Sequence, residues 1–362
     1  MLKKFAVILP LTLLVTAAVW VLAVGDASDP LASLSYLVGT FSETVDAEVE
    51  KRLKASDAAL LKSAEKGESL ISTAATWEET RLKQNDVLLG NTGTNVLLLA
   101  GNVQVTYDSG AVVDVTTGQD VASGTALTTN HRYMVAEDTS ATFTVTSKTA
   151  VVDYQGQYTF AYSNATDYNA MAAALKKLNL FKGSFTGYGE GFDLEVAPTR
   201  LQALIMFIRV LGEEEQALAW TGSQPFKDIH AGTQAYQYVG YAYEKGYTNG
   251  YTTTEFRPAG AVNAYQYTEF VLRAMGYSSA ANTNLADTFT RAVEAGVLTE
   301  GEAAYLQTDK FLRAELVYIS YYALEARLPD SAQTLADLLQ NKGVFTMKVW
   351  KEARKSVSGT RL

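Results

Sequence analysis

Among side chains that could do chemistry, His131, Glu137 and Asp138 sit together in one stretch. A metal would need further ligands in a set geometry. His131 precedes Arg132 and Tyr133 where a strand pattern begins, so it reads as a surface or turn histidine. The only other histidine, His230, lies in a different region, which argues against a histidine-based triad or zinc centre. There is no cysteine, so thiol nucleophiles, thiolate metal sites and disulfides are excluded together. No G-x-S-x-G, P-loop or H-E-x-x-H occurs. The run "GYGEGF" (Gly187 to Phe192) falls between two helical patterns, not after a strand, and reads as a flexible loop. Glycosidases need only two carboxylates, but no spacing singles out a pair. Glu213, Glu214 and Glu215 read as a solvated linker. The 21 tyrosines could line a sugar site, yet tyrosine at helical spacing is more often packing. The sequence therefore names no catalytic residue, no metal and no cofactor.

The chain has 362 residues, enough for two or three domains. At 48% hydrophobic and 19% charged it can bury real cores. A net charge of -9 gives no positive field for phosphates, which argues against nucleic acid as a partner. Lys3 and Lys4 precede an apolar run from Phe5 to Val24, followed by the polar "GDASDP". Positive flank, apolar run and polar exit form an export pattern. The run is about long enough to span a bilayer, at roughly 20 residues. Small residues near Gly25 favour a cleaved signal peptide over an anchor for residues 1–27, with membrane contact only if it stays uncleaved. Either outcome places the rest outside the cytoplasm.

Three regions follow. Residues 28–84 read as helical: Phe41, Val45, Val49 and Leu53 step by four, and Glu48–Arg52 and Glu50–Lys54 are favourable i,i+4 pairs. Residues 85–161 alternate with period two, as at Val103, Val105 and Tyr107 and at Ala141, Phe143 and Val145, with glycine-containing breaks between. Short strands with regular turns predict a small all-β sandwich or barrel. Residues 162–328 are helical and repetitive, and 329–362 form a helical tail.

The repeat is visible by register. Phe256 lies 64 residues beyond Phe192, and Gly276 lies 64 beyond Gly212, so the two copies match without a gap. A third copy, Phe311 to Leu328, places Arg313 over Arg200, Glu315 over Gln202 and Leu324 over Leu211. Each copy follows another helix that ends near glycine, at "LNLFKG", "YEKG" and "VEAG". One helix–loop–helix unit cannot bury its apolar face alone, so the three, at 162–212, 224–277 and 283–328, must share a core. From Leu201 to Leu211 almost no polar face remains, which predicts a helix buried all round. Thr199 is its expected N-cap.

The stretches "FKDI", "YAYEKGYTNGYTTTEFRPAGAVN" and "LRAEL" resemble S-layer homology repeats. The resemblance implies three repeats in a pseudo-threefold helical domain beside the N-terminal helix and the all-β domain. It implies a non-catalytic cell-envelope protein, held non-covalently on acidic, often pyruvylated, secondary cell-wall polysaccharide, with other surface proteins as further partners. The family's ligand arginine falls on Arg200 and Arg313. A planar guanidinium at a helix N-terminus, beside free backbone N–H groups, suits a carboxylate. Three departures stand out: Ala264 occupies the arginine position of the second copy, the opening helices lack the family's tryptophan, and the first repeat lacks the Phe-x-Asp opening. The N-terminal part, with "DPLASLSYL" and "LTTNHRYMVAEDT", resembles exported proteins of anaerobic Gram-positive bacteria, which implies no activity.

Overall fold

The period-two stretches pair into one antiparallel sheet. The computed structural model describes residues 44–45, 47–52, 54, 72–183, 186–277, 285–357 and 361–362. Its strands are β1 (Ser72–Lys83), β2 (Val87–Asn91), β3 (Asn95–Ala100), β4 (Val103–Thr106), β5 (Ala111–Asp114), β6 (Gln119–Asp120), β7 (Thr125–Ala126), β8 (Arg132–Ala136), β9 (Ser140–Val145) and β10 (Thr149–Ala161). β10 is the spine. Tyr154 pairs with Glu78 of β1 on one side and Val96 of β3 on the other, and Tyr158 pairs with Ser72 and with Gly90 of β2. One wing continues from β3 through β8 and β5 to β6, the other from β2 through β9 and β4 to β7.

Only residues 121–124 join the wing tips β6 and β7, a span of no more than about 18 Å when extended. The Tyr107 hydroxyl donates to the Val121 carbonyl at 2.7 Å, and Ser123 Oγ donates to the Tyr107 carbonyl at 2.8 Å. The wings must bend toward each other, and the sheet curls into a half-barrel. Val103, Val105, Ala141, Phe143 and Val145 point inward as the alternation predicts, and one apolar core fills the curl.

β1 lies inside the stretch expected to be helical, ahead of the expected boundary at 85. Its sequence, STAATWEETRLK, buries only Ala74 and Leu82 and shows no apolar alternation. Pairing to β10 holds it, a long-range cause that local pattern cannot reveal. Residues 44–45, 47–52 and 54 are helical, and the pairs Glu48–Arg52 (3.4 Å) and Glu50–Lys54 (2.9 Å) form. Phe41, Leu53 and residues 1–27 lie outside the described residues. Among the described residues, no helix is long and apolar enough to cross a membrane.

The C-terminal region is helical: α1 (Tyr168–Lys177), α2 (Arg200–Val210), α3 (Glu214–Leu218), α4 (Gln234–Glu244), α5 (Ala264–Met275), α6 (Thr288–Glu294), α7 (Glu300–Thr308), α8 (Arg313–Ala323), α9 (Leu335–Asn341) and α10 (Met347–Ser356). α1, α4 and α6 stop in the same way. A residue with positive φ (Asn179, Gly246, Gly296) ends each one. The next two N–H groups then return to a single carbonyl, that of Leu175, Ala242 or Ala292. In the first copy the stop is Asn179 rather than the expected Gly183, because asparagine also tolerates the left-handed region.

α2, α5 and α8 start alike. Gln202, Gln266 and Glu315 accept from the backbone N–H three residues earlier, at 3.0, 3.3 and 2.7 Å, and Thr199 is the N-cap of α2 as expected. α8 is the central helix, buried continuously from Ala314 to Ala323. α2 is less enclosed than its sequence predicts: Leu201, Ile205 and Arg209 are half-buried and Gln202 is exposed, forming one outer strip. The tail contributes Leu335, Leu339, Phe345 and Trp350 to the common core.

Candidate functional site

Where α2 begins, its first two N–H groups dock on a neighbouring loop: Arg200 N donates to Gly260 O (2.8 Å) and Leu201 N to Pro258 O (3.1 Å). Where α8 begins, Arg313 N donates to Val196 O (2.9 Å) and Ala314 N to Leu194 O (3.1 Å). Gly260 and Pro258 lie 64 residues beyond Val196 and Leu194, so both junctions are closed in the same register. The structure thus puts Arg200 and Arg313 in equivalent places, each at the seam between a helix start and the loop of another helical pair.

Their surroundings differ. Arg200 is only 7% exposed, and its guanidinium lies 5.0 Å from the Phe256 ring centre and 5.6 Å from that of Phe270. Its Nη2 donates to the Gly250 carbonyl at 3.3 Å and more weakly to Thr248 Oγ1 at 3.5 Å, and its buried Nε has no partner. Burial, and secondarily the charge of Arg273, pull its pKa below the usual arginine value, though a guanidinium stays protonated. Among the described residues no carboxylate forms an ion pair with Arg200. Arg313 donates from Nε to the Phe192 carbonyl at 3.1 Å and lies 5.7 Å from the Phe181 ring centre. Burial lowers its pKa too, but Asp193 and Glu195 partly offset that. Ala264, at the matching start of α5, is buried and offers no charge.

Asp228 explains the Phe-x-Asp motif. Its carboxylate accepts from the backbone N–H of Phe256 (2.9 Å) and Arg257 (2.6 Å). Burial opposes its ionisation, but these bonds outweigh that and lower its pKa. The grip holds Arg257 at φ +59, a left-handed value that a side chain adopts at a cost. On the same loop Tyr251 is exposed, with the Arg257 guanidinium 3.7 Å from its ring centre.

Residues 225–263 match the S-layer homology domain. The match supports a surface protein that contains such a domain, a module that binds cell-wall polysaccharide, and it spans Asp228, the 248–260 loop and the Asn263 cap. No curated protein matches the chain. Solved structures that match include the epimerase RmlC from Legionella pneumophila Philadelphia 1, described as a dTDP-6-deoxy-D-glucose-3,5-epimerase in complex with dTDP-4-keto-L-rhamnose. It is 21% identical over 28% of this chain and 56% of its own, with a TM-score of 0.17. Procruciferin, an 11S globulin from Brassica napus, is 16% identical over 24% of this chain and 22% of its own, with a TM-score of 0.16. The coconut allergen cocosin is 14% identical over 28% of each chain, at 0.17. The chain thus spans about half of the epimerase and about a quarter of each globulin, and likeness this slight carries no functional argument.

Several expectations about single residues change. Glu213 and Glu214 are hubs rather than linker: Glu213 accepts from the hydroxyls of Tyr241 (2.9 Å) and Tyr247 (2.8 Å) and pairs with Lys342 (3.3 Å). The GYGEGF loop is an interface: Gly189 N donates to Glu79 of β1 at 2.8 Å, and Arg81 Nη1 donates to the Gly189 carbonyl at 3.0 Å. A Cβ at Gly189 would fall 2.3 Å from that same Nη1. His131 Nδ1 sits 2.7 Å from Asp114 Oδ2, and among the described residues no group of three or more His, Cys, Asp or Glu could hold a metal. Sequence reasoning missed Arg81, Lys148, Tyr251 and Arg257. Only the last two carried a signal, since they lie within the quoted motif.

Proposed function

We propose that the three repeats, 162–212, 224–277 and 283–328, form one pseudo-threefold S-layer homology unit. It holds the chain non-covalently on acidic, pyruvylated secondary cell-wall polysaccharide, displays the half-barrel at the surface and performs no catalysis. The observation that carries this reading is Arg200: a buried guanidinium with an unpartnered Nε and, among the described residues, no carboxylate in ion-pair contact. An isolated buried cation is costly unless something pairs with it, and a ketal-linked pyruvate supplies a carboxylate of the right geometry for a guanidinium fork. The repeated helix stops and the two equivalent junctions support the three-repeat arrangement.

The test is co-sedimentation of the purified protein with isolated cell walls, before and after removal of pyruvate groups. A charge-assisted contact is worth roughly 1.5–3 kcal/mol, so losing one weakens binding about tenfold or more. The double variant Arg200→Ala/Arg313→Ala is expected to lose most wall binding while its circular dichroism stays that of the wild type. Undiminished binding by the folded double variant rejects the arginine mechanism. A wild-type protein that never sediments with walls but captures other surface proteins is instead an envelope scaffold, and cleared bands in wall zymography reveal a hydrolase.

A further inference from the structure

The half-barrel does not merely precede the helical unit; it reaches into it at two places. The first is the Arg313 junction. Arg81 of β1, 8% exposed at its side chain, pairs with Glu195 at 2.5 Å, donates to Asn169 Oδ1 at 2.8 Å and to Gly189 O at 3.0 Å, and lies 5.5 Å from the centre of the Phe192 ring. Phe192 is the residue whose carbonyl Arg313 holds. Arg313 therefore shares its loop with a second arginine and with Asp193 and Glu195.

The second place is the loop before α8 and the first turn of that helix. Lys148, in the turn between β9 and β10, sends its Nζ to 2.5 Å from Glu315 Oε1 and 2.6 Å from Asp309 Oδ2. It also donates to the Lys310 carbonyl at 3.4 Å and lies 5.6 Å from the Tyr305 ring centre. Register gives the position meaning. Arg313 lies 113 residues beyond Arg200, and the same step carries Val196 to Asp309. Val196 and Gly260 are the loop residues that receive Arg313 and Arg200 at the two junctions. The residue of the third copy in the same register, Asp309, receives Lys148. Glu315 is the charged member of a set whose other members, Gln202 and Gln266, are neutral. The negative charge at the start of α8 is matched by a cation from the half-barrel.

Among the described residues, no hydrogen bond or ion pair joins the half-barrel to Arg200, to Thr248 or to residues 250–260. Arg200 lies within the electrostatic reach of Arg273, itself paired with Glu269 at 3.0 Å, and among the described residues no carboxylate forms an ion pair with it. Tyr251 is 56% exposed, directly after the Gly250 carbonyl that Arg200 holds, and Arg257 covers one face of its ring. Arg257 has Glu255 at 3.1 Å as an exposed partner, which exchanges easily with another anion.

We infer that the chain presents one acidic-saccharide site rather than three: the Arg200 junction, walled by Tyr251 and Arg257, with the half-barrel closing the Arg313 junction through Arg81 and Lys148 and α5 presenting no cation at Ala264. The ligand is a saccharide that sets a carboxylate against Arg200 and a sugar ring against Tyr251. This rests on the glycan-binding reading and narrows it.

Calorimetric titration of the purified protein with soluble, pyruvylated wall polysaccharide released by muramidase digestion reads both stoichiometry and affinity. One site per chain is expected. Arg200→Ala should weaken it tenfold or more, and Tyr251→Ala, an exposed and fold-neutral change, severalfold. Arg313→Ala should leave it within twofold of wild type. An Arg313→Ala loss equal to that of Arg200→Ala, two or three sites per chain, or an unchanged Tyr251→Ala affinity overturns the single-site inference while leaving glycan binding intact. No binding by the wild type removes the glycan reading and this inference with it.

Discussion

Glu214 accepts from Arg209 Nε at 2.8 Å and from the Tyr238 hydroxyl at 2.6 Å, and it pairs with Lys182. Burial alone would raise its pKa, but hydrogen bonds from Lys182, Tyr238 and Arg209 outweigh that and lower it to about 2 from the ordinary 4.5. A carboxyl with a depressed folded-state pKa stabilises the fold above its unfolded pKa, and that stabilisation disappears as pH falls through the folded value. Melting temperature should therefore drop between pH 4.5 and about 2, and Glu214→Gln should flatten that part of the profile. An unchanged acid slope in the variant would show that the network contributes nothing to folding. The same residue marks the limit of sequence reading. Its neighbours Arg209 and Tyr238 come from α2 and α4, so a run of three glutamates looks solvated until those helices meet. Arg200 and Arg313 were legible as a pair because type and register carry that information. Their unequal fields were not, because Asp193, Glu195 and Arg81 converge on Arg313 only through the fold.

The helices show which patterns survive folding. Helix stops and caps were readable since they depend on residues within a few positions: Thr199 as N-cap, Gly246 and Gly296 as stops. Full enclosure of α2 was over-read. Apolar residues nearly all round the helix predicted burial on every side, but the strip through Leu201, Ile205 and Arg209 has no helix fully covering it. This separates two substitutions that the sequence would treat alike. Ile208 is fully buried, and an aspartate there would sit in the common core without a partner. Burying an unpaired charge costs several kcal/mol, with about 3–5 kcal/mol measured when buried pairs are broken. Ile208→Asp should abolish the cooperative melt of the helical unit, whereas Ile205→Asp, on the half-buried strip, should shift its midpoint only modestly. Equal melting of both variants would mean that α2 is not oriented as described. β1 was misassigned outright, and its cause is equally physical: a polar strand is defined by its partner β10, which lies more than sixty residues away in the chain.

At the scale of the molecule, domains joined by a single chain segment usually move relative to one another unless a substantial interface holds them. Here two clamps oppose that motion. Arg81 and Glu195, with side chains 8% and 9% exposed, tie β1 to the loop before α2, and Lys148 with Glu315, at 14% and 1%, ties the β9–β10 turn to the start of α8. Removing one partner of a buried pair leaves the other charge stranded, at about 3–5 kcal/mol. The stranded groups, Glu195 and Glu315, belong to the helical unit, so the penalty falls on the joint and on that unit together. Differential scanning calorimetry of the wild type should show the half-barrel and the helical unit unfolding in one transition, with calorimetric and van't Hoff enthalpies equal. The double variant Arg81→Met/Lys148→Met should split it, the helical unit melting first. Adding Glu315→Gln, which places at the start of α8 the residue found at the starts of α2 and α5, should return part of the lost stability to the helical unit without rejoining the transitions. Two transitions in the wild type would mean that the clamps do not couple the domains, and with them would fall the idea that the half-barrel closes any junction of the helical unit.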